Sequence, residues 1–469
     1  MQEFPASVIT IQSEKKIYAR GIGGRFNTWR WIFVWLTQLV FYGLPWLTFN
    51  DRQAVLFELE TRRFYLFNLV LYPQDFIYLT GLLVISALAL FLFTAIAGRL
   101  WCGYACPQTV YSEIFMWIEQ RTEGDRSARM RLDRHGWTFD RVWRKGLKHT
   151  IWLIIAMWTG LTFVGYFTPI QQTVGAVIQG ALGPWQTFWI LFYGFATYGN
   201  AGFMREQVCK YMCPYARFQS AMFDKDTLIV TYDEARGEPR GARKKSADLA
   251  SLNLGSCIDC ALCVQVCPTG IDIRNGLQYE CIGCGACIDA CDEVMEQMGY
   301  DKGLVKYTTQ NGLLNRWSRS QILKRALRPR VLIYSTILFV VIAAVFGSLM
   351  LRDTVRVDVM RDRGSLARLV EKGWIENVYR LQLMNATERP QRYAVSVTGL
   401  PNAVLEGDDN ATFALDAAAV RSVAVRVKVP PMSLTPGSHP IHFVIQNLSA
   451  GADSETASVT ESSTFVMPR

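Results

Sequence analysis

The 469-residue sequence is poor in charged residues and in histidine, and it lacks the usual haem and nucleotide signatures. Charged residues make up 19% of the chain and only 4 histidines are present, whereas an average soluble domain has about 25% charged residues. No C-x2-C-His haem-attachment site, phosphate-binding loop or dinucleotide-binding glycine fingerprint occurs. These absences argue against an ordinary cytosolic enzyme and against a cytochrome.

Cysteine is absent from residues 1–101 and from residues 292–469, so all 12 cysteines lie between these two segments. A small secreted protein held together by disulfides would be short and would carry cysteines throughout its length. The uneven distribution instead favours thiols that stay reduced in order to bind metal.

Uncharged stretches long enough to cross a bilayer occur five times. A hydrocarbon core of about 30 Å requires about 20 apolar residues in a helix. The third and fourth stretches are parts of one uncharged segment that Pro169 and the Gly183–Pro184 pair interrupt, and we expect a short turn between them. The five predicted spans are residues 31–50, 76–97, 151–168, 186–204 and 331–351.

The distribution of basic residues predicts which side of the membrane each loop occupies, because cytoplasmic loops carry an excess of Lys and Arg. Lys and Arg number 5 in residues 1–30, 10 in 98–149 and 18 in 205–330, but 3 in 51–75 and none in 169–185. The N-terminus and both basic loops are therefore predicted to be cytoplasmic, and the C-terminal segment periplasmic. We read the net charge of +9 as a sign of topology and lipid contact. No nucleic-acid module accompanies it, so we expect no nucleic-acid binding.

The spacing C-x2-C-x2-C-x3-C occurs twice in the second basic loop, and it resembles that of the bacterial two-cluster ferredoxins. The eight cysteines are Cys257, Cys260, Cys263, Cys267, Cys281, Cys284, Cys287 and Cys291. In those ferredoxins three cysteines of one run and the fourth of the other hold each cluster. The resemblance implies that one [4Fe–4S] cluster is held by Cys257, Cys260, Cys263 and Cys291. It implies that the other is held by Cys281, Cys284, Cys287 and Cys267.

One residue departs from the ferredoxin pattern. Asp292 follows the last cysteine where the motif usually has proline, which changes the local chain geometry or charge but removes no ligand. Structural zinc is the alternative occupant, but zinc sites use paired C-x2-C knuckles. Eight cysteines in this tandem pattern favour two iron–sulfur clusters.

The other four cysteines form a second repeat, Cys102-Gly-Tyr-Ala-Cys106-Pro and Cys209-Lys-Tyr-Met-Cys213-Pro. Each copy follows a predicted span and precedes an amphipathic stretch, so both are predicted at the cytoplasmic edge of the membrane. The proline is suited to begin the next helix. If the two pairs meet, four soft thiolates favour Cu(I), zinc or iron–sulfur. The alternative is that these cysteines only pack in the core.

The C-terminal segment alternates apolar and polar residues, as in Val423-Ala-Val-Arg-Val-Lys-Val429 and at Ile441, Phe443 and Ile445. This period of two, with turn residues between the strands, predicts an antiparallel immunoglobulin-like sandwich.

These patterns predict a multi-domain membrane protein with three kinds of structure. They are a five-helix transmembrane α bundle, an α+β two-cluster ferredoxin-like insert and a C-terminal all-β immunoglobulin-like sandwich. The predicted divisions are a cytoplasmic N-terminal segment 1–30, four transmembrane helices in 31–204 with a cytoplasmic loop 98–149, a cytoplasmic two-[4Fe–4S] ferredoxin domain 205–330, a fifth transmembrane helix 331–351 and a periplasmic immunoglobulin-like domain 352–469.

The combination resembles the cytochrome c oxidase accessory protein family, known as CcoG, FixG or RdxA. The phrases Cys267-Pro-Thr-Gly-Ile-Asp-Ile273 and Gln278-Tyr-Glu-Cys281 add local specificity. The resemblance implies a protein of the bacterial inner membrane that reduces Cu(II) to Cu(I) for assembly of cbb-type cytochrome c oxidase. It implies that the ferredoxin cysteines carry electrons. The residues it implies for copper binding and catalysis are Cys102, Cys106, Cys209 and Cys213.

The partners expected on this basis are the lipid bilayer, oxidase subunits or copper chaperones, and a cytoplasmic electron donor. The two thiol pairs could meet within one chain or across a homodimer. Two other functions stay open: an electron relay to quinone or a partner reductase, and a non-catalytic assembly scaffold that acts through the outer domain. The second cysteine repeat discriminates among them, because a pure relay would not need it.

Overall fold

The computed structural model describes residues 16–245, 253–352, 355–362, 367–407, 411–431, 433–449 and 458–468. The chain forms two compact units. The first comprises the described parts of residues 1–45, 83–165 and 170–341, and the second comprises those of 46–82, 166–169 and 342–469. All the cysteines lie in the first unit.

Helices make up most of the first unit. In chain order the helices are α1 (Arg25–Gly43), α2 (Phe76–Ala97), α3 (Leu100–Tyr104), α4 (Pro107–Glu123), α5 (Arg126–Arg134), α6 (Phe139–Val164), α7 (Ile170–Gln179), α8 (Pro184–Gly199), α9 (Arg205–Gln207), α10 (Pro214–Met222), α11 (Glu234–Gly237), α12 (Leu262–Gln265), α13 (Ala286–Met298), α14 (Gln310–Leu314), α15 (Arg319–Ala326) and α16 (Pro329–Met350). Two π-helical segments, Asn200–Met204 and Val208–Met212, flank α9.

Three helices within the described residues are long and apolar enough to cross a membrane, namely Pro73–Ala97, Phe139–Val164 and Pro329–Met350. The other two predicted spans correspond to α1, which includes two arginines, and to α8, which has 16 residues. Helix α8 continues directly into the π-helical segment Asn200–Met204, so the helical stretch covers the whole fourth predicted span. The chain is therefore a membrane protein with three candidate spans. The five-helix bundle and its orientation stay predictions.

Two predicted connections contain helices. The loop predicted over 98–149 holds α3, α4, α5 and the beginning of α6. The short turn expected between the third and fourth spans is wrong, because the ten-residue α7 lies there. An apolar run in the sequence shows only the part of a helix that could lie in a bilayer. The residue at which the helix begins depends on the N-cap. Helix α6 begins after Thr138, whose hydroxyl accepts a hydrogen bond from the Arg141 N–H at 3.3 Å.

The second unit is built mainly from strands. The strands of the described residues, of which only β6 and β7 belong to the first unit, are in chain order β1 (Thr48–Phe49), β2 (Arg52–Gln53), β3 (Val55–Glu58), β4 (Arg63–Leu66), β5 (Leu69–Leu71), β6 (Ile229–Tyr232), β7 (Val305–Thr308), β8 (Val355–Arg361), β9 (Arg368–Leu369), β10 (Ile375–Asn385), β11 (Gln391–Thr398), β12 (Val404–Gly407), β13 (Thr412–Leu415), β14 (Val420–Val429), β15 (Gly437–Asn447) and β16 (Ser458–Met467).

Two antiparallel sheets pack face to face at the C-terminal end. One has the order β12-β14-β10-β8 with β9 paired to β10, and the other has the order β13-β11-β15-β16. Alternate residues point into the shared core, where the rings of Tyr379 from β10 and Phe443 from β15 lie 5.1 Å apart. The predicted immunoglobulin-like sandwich is confirmed.

The segment between α1 and α2, which connects the first two predicted spans, contains five short strands. It forms a hairpin, β1–β2, and a three-stranded sheet, β3-β4-β5. Leu56, Tyr65 and Val70 share an apolar cluster with Met384 of β10, and the Tyr72 hydroxyl donates to the Asn385 carbonyl at 2.8 Å. These strands therefore belong to the same unit as the sandwich.

The ferredoxin-like part of the first unit combines short helices with one two-stranded sheet. Strand β6 pairs antiparallel with β7, so that Ile229 lies opposite Thr308. Apolar residues of these strands and of α13 form one core, which includes Val230, Met295 and Leu304. The predicted α+β insert is confirmed.

Candidate metal centres

The two ferredoxin runs share one backbone conformation. In the second run Gly283 and Gly285 have φ values of 64° and 75°, and in the first run Asp259 and Ala261 both have φ values of 54°. These left-handed positions bend the chain around the cysteines. Glycine takes them freely, whereas a residue with a Cβ pays about 1–2 kcal/mol at each. In the first run, Asp259 and Ala261 therefore hold a left-handed backbone conformation that non-glycine residues disfavour.

One small cavity is lined by four cysteines taken from both runs. They are Cys257, Cys260, Cys263 and Cys291, and most of the remaining wall is apolar. Arg274 also lines this cavity, where its guanidinium forms an ion pair with Asp272 at 2.6 Å. Four soft sulfur donors in an apolar enclosure match the ligand chemistry of an iron–sulfur cluster.

A second cavity is lined by Cys267 together with Cys281, Cys284 and Cys287, and Cys263 also reaches its wall. The backbone N–H groups of Gly283 and Ala286 donate to the sulfurs of Cys281 and Cys284. Such donors stabilise charge on cluster ligands and tune the potential. Each cavity thus contains the four cysteines that the resemblance to two-cluster ferredoxins implies for one cluster, and Cys263 lines both cavities.

Burial dominates the acid–base behaviour of these thiols. It raises the pKa of Cys263 to about 11 and those of Cys281 and Cys291 to about 12. Without metal the thiols are protonated at neutral pH, and metal binding displaces the protons. This arrangement suits residues that are held for a metal rather than exposed as nucleophiles.

Asp292, the departure from the ferredoxin pattern, has a structural partner. Its carboxylate accepts a hydrogen bond from the Gly303 N–H at 2.8 Å. The aspartate therefore ties α13 to the loop before β7, close to Cys291.

The other four cysteines, which we call the motif thiols, occupy equivalent places in their two copies. Cys106 and Cys213 precede α4 and α10 as N-caps with extended backbone, and Pro107 and Pro214 are the first helical residues, as expected. The N–H groups of Gln108 and Thr109 donate to the Cys106 sulfur. These donors favour the thiolate, but burial outweighs them and raises the pKa of the Cys106 thiol.

The two copies of the motif meet within one chain. Burial first, and then the neighbouring thiols of Cys106, Cys102 and Cys213, raise the pKa of Cys209 to about 12. Cys102 and Cys209, one from each copy, also pack against one apolar cluster, so the two copies lie side by side without a dimer. No three His, Cys, Asp or Glu side chains in the described ranges stand close enough to hold a single ion as placed. A single copper ion would therefore require these thiols to rotate towards one another.

The first copy of the motif packs directly on the loop of the second cavity. A Cβ at Gly103 would lie 2.8 Å from the Gly283 carbonyl oxygen and 2.8 Å from the Cys284 Cα. Cys102 and Cys209 pack against the apolar cluster that contains Cys284 and Ile282. Only glycine permits this approach, and it places motif thiols beside a predicted cluster ligand.

Several polar residues that join these parts were missed from the sequence. Arg99, which is 8% exposed, donates to the Ala216 carbonyl at 2.7 Å and to the Cys281 carbonyl at 3.4 Å. The Tyr307 hydroxyl donates to the Gly283 carbonyl at 2.6 Å. In sequence, Arg99 counted only as one more basic loop residue, and no local pattern marks Tyr307.

Three protein-family models match separate parts of the chain, and these parts correspond to the regions described above. Residues 204–310 match the family model described as a 4Fe-4S dicluster domain, and residues 79–123 match that of a 4Fe-4S binding domain. Residues 345–468 match the immunoglobulin-like fold at the C-terminus of FixG. These matches show that the chain is an iron–sulfur protein. The second of them covers Cys102 and Cys106.

Three relatives resemble the chain over most of its length. Nitrogen fixation protein FixG of Rhizobium meliloti is 36% identical over 432 residues, which cover 86% of this chain and 82% of FixG. Protein RdxA of Cereibacter sphaeroides is 39% identical over 393 residues, covering 82% of each chain. Protein RdxB of the same organism is 36% identical over 447 residues, covering 93% of this chain and 94% of RdxB.

Proposed function

Because the chain belongs to the family of FixG and RdxA, we propose that it is an iron–sulfur oxidoreductase that reduces Cu(II) to Cu(I) at the motif thiols. The product would serve assembly of a cbb-type cytochrome c oxidase. Iron–sulfur clusters, when bound, supply one-electron chemistry. One electron converts one Cu(II) into one Cu(I), and no atom is transferred in this step.

The observation that carries the proposal is the contact between the first motif and the loop of the second cavity. Gly103 lies against Gly283 and Cys284, and Cys102 packs in the same apolar cluster as Cys284. At Gly103 the two backbones are so close that any side chain there would collide with the loop of the second cavity. A chain built only to relay electrons elsewhere would not need four further thiols at this point.

The ligand chemistry supports copper as the substrate. Thiolates are soft ligands that prefer Cu(I) to harder cations, so they favour the reduced product over the oxidised substrate. Burial raises the pKa of Cys102, Cys209 and Cys281, and the nearby Arg99 guanidinium offsets a small part of that rise in each thiol.

We further propose the surroundings in which this reaction occurs. The N-terminus and both groups of cysteines would lie on the cytoplasmic side of a bacterial inner membrane, with the immunoglobulin-like sandwich in the periplasm. A cytoplasmic donor would supply electrons, and oxidase subunits or copper chaperones would receive Cu(I). The clustering of basic residues in the loops supports this orientation.

A second candidate function for the motif thiols is to hold a third iron–sulfur cluster. The match of residues 79–123 to a 4Fe-4S binding domain supports it, because that segment contains Cys102 and Cys106. Iron content distinguishes the two candidates. Two [4Fe–4S] clusters give about eight irons per chain, and a third gives about twelve.

The test uses the full chain, purified and reduced without oxygen. Cu(II) is added, and Cu(I) is followed with a chromogenic chelator. In one variant Cys102, Cys106, Cys209 and Cys213 are all changed to Ser. We expect this variant to keep its iron and visible absorbance but to lose most Cu(I) production.

A matched variant removes the predicted cluster ligands instead. With Cys281, Cys284 and Cys287 changed to Ser, we expect copper binding to persist while reduction falls. Unchanged Cu(I) yield in the variant without motif thiols would refute the copper site, even if both clusters are intact. About twelve irons per wild-type chain, with four lost in that variant, would favour the third cluster.

A further inference from the structure

The tyrosine of the first C-x-Tyr-x-C-Pro motif is buried, and the function proposed above makes no use of it. Tyr104 is 8% exposed, and its ring packs edge to face against Phe33 of α1 with centroids 6.1 Å apart. Tyr211, at the same position of the second copy, is 60% exposed. The two copies therefore place the same residue type in different surroundings, and the spacing of the thiols does not account for this difference.

The Tyr104 hydroxyl belongs to a chain of hydrogen bonds that ends on the second ferredoxin run. The Tyr307 hydroxyl donates to the Gly283 carbonyl at 2.6 Å, and the hydroxyl oxygens of Tyr104 and Tyr307 lie 3.3 Å apart. A hydroxyl has one proton to donate, and a carbonyl can only accept. Because the Tyr307 proton is directed at Gly283, Tyr104 is the donor to Tyr307.

Two contacts of the first motif converge on one oxygen atom. The Gly283 carbonyl oxygen accepts from Tyr307, and it also lies 2.8 Å from the position that a Cβ on Gly103 would occupy. In the second copy Lys210 stands at the position of Gly103, so that copy lacks the glycine that this close approach requires. The first motif and Tyr307 together hold the Gly283 carbonyl in place.

Gly283 lies in the part of the loop that carries predicted cluster ligands. It stands between Cys281 and Cys284, its N–H donates to the Cys281 sulfur, and its φ is 64°. Glycine has no Cβ to restrict its backbone, so contacts with neighbouring groups must keep this N–H directed at the sulfur. A donor to a ligand sulfur stabilises the reduced, more negative cluster and so raises its reduction potential.

We propose that Tyr104 and Tyr307 are positioning residues that fix Gly283 and thereby raise the reduction potential of the cluster held at the second cavity. The inference rests on the iron–sulfur part of the proposed function and does not require copper. It gives the tyrosine of the first motif a role that the tyrosine of the second copy lacks. The first motif would set the potential of the neighbouring cluster in addition to supplying thiols.

The test is a redox titration of the purified full chain, with its clusters, followed by electron paramagnetic resonance. Tyr307→Phe keeps the ring that packs on Phe26 with centroids 5.1 Å apart, but it removes the hydroxyl. We expect one midpoint potential to fall, with reduction of that cluster disfavoured by about threefold or more. A threefold change is about 28 mV, at about 59 mV per tenfold for one electron. Tyr104→Phe should lower the same midpoint by less, because Tyr104 acts through Tyr307.

Two controls accompany these variants. Arg274→Gln removes a positive charge from the wall of the first cavity, so it should lower the other midpoint and thereby identify the cluster held there. Tyr211→Phe is the matched control for Tyr104→Phe, and it should move neither midpoint. The iron content of each variant shows whether both clusters stay bound.

A fall of one midpoint in Tyr307→Phe, absent from Tyr211→Phe, would support the proposal. Unmoved midpoints in Tyr307→Phe at full iron content would overturn it and leave copper reduction at the motif thiols intact. Loss of iron from Tyr307→Phe, or an equal shift of both midpoints, would show a general structural role and would also overturn it. An unmoved midpoint in Tyr104→Phe would overturn the part assigned to the motif. Failure of the wild-type chain to produce Cu(I), with the Tyr307→Phe shift present, would refute copper reduction alone.

Discussion

Replacing Gly103 by alanine should loosen the contact between the first C-x-Tyr-x-C-Pro motif and the second ferredoxin run. The new Cβ would stand 2.8 Å from both the Gly283 oxygen and the Cys284 Cα, whereas ordinary contacts begin at 3.4 Å. The two backbones must therefore separate by about 0.6 Å. Overpacking of this kind costs about 1–3 kcal/mol.

The matched control is Gly146→Ala. Gly146 also lies in a helix, α6, but a Cβ there meets nothing within 4 Å. Alanine is favoured over glycine inside a helix by about 1 kcal/mol, and this gain applies to both variants. Comparing the two alanine variants therefore isolates the steric cost at Gly103.

The assay is denaturant unfolding of the full chain, followed by loss of visible cluster absorbance and by helix content. We expect Gly103→Ala to be less stable than Gly146→Ala by about 1–3 kcal/mol, and to produce Cu(I) more slowly. Equal stability of the two variants would show that the motif does not press on the cluster loop. The argument for electron transfer across this contact would then fail.

Three further predictions concern buried carboxylates. Asp289→Ala removes the acceptor for the first N–H groups of α1, which bond to it at 3.1 and 2.8 Å. It should lower the free energy of unfolding by about 1–2 kcal/mol, whereas the exposed Glu293→Ala should change it little. Burial alone would raise the pKa of Glu119, but the cations packed around it lower that pKa from 4.5 to about 2. Its stabilising effect is therefore complete above pH 4.5 and lost towards pH 2, so a urea midpoint measured across this range should fall less steeply in Glu119→Gln than in wild type. Asp75→Asn leaves Arg352, its partner in a buried ion pair, without a counter-charge, and should destabilise the second unit by about 3–5 kcal/mol. A loss below 1 kcal/mol in thermal unfolding would contradict that reading.

The sequence predicted those parts of the molecule that depend on the spacing of residues within a short segment. Eight cysteines at ferredoxin intervals indicated two groups of thiols, and the alternation in β10, β14 and β15 indicated a sandwich. The repeated C-x-Tyr-x-C-Pro motif indicated a second kind of site. In each case the spacing of a short pattern indicates one structure. Metal ligation requires cysteines at set intervals, and a half-buried strand requires alternate apolar residues.

Other features depend on contacts between distant residues and left little trace in the sequence. Arg99 bonds to the Cys281 carbonyl across 182 positions, so no window of sequence could show its role. The strands β3 to β5 are short, and their burial depends partly on Met384 far along the chain. The start of α6 was missed because its first turns are basic and amphipathic, whereas the apolar run begins later.

The exchange of cysteines between the two ferredoxin runs limits how this region can change. Cys267 belongs to the first run but lines the second cavity, and Cys291 belongs to the second run but lines the first. Neither run can be grafted, deleted or tuned as an independent module, since each supplies the fourth corner of its neighbour's enclosure. Chimaeras between relatives should therefore tolerate a crossover before Cys257 or after Cys291, and lose both centres when the junction falls between the runs.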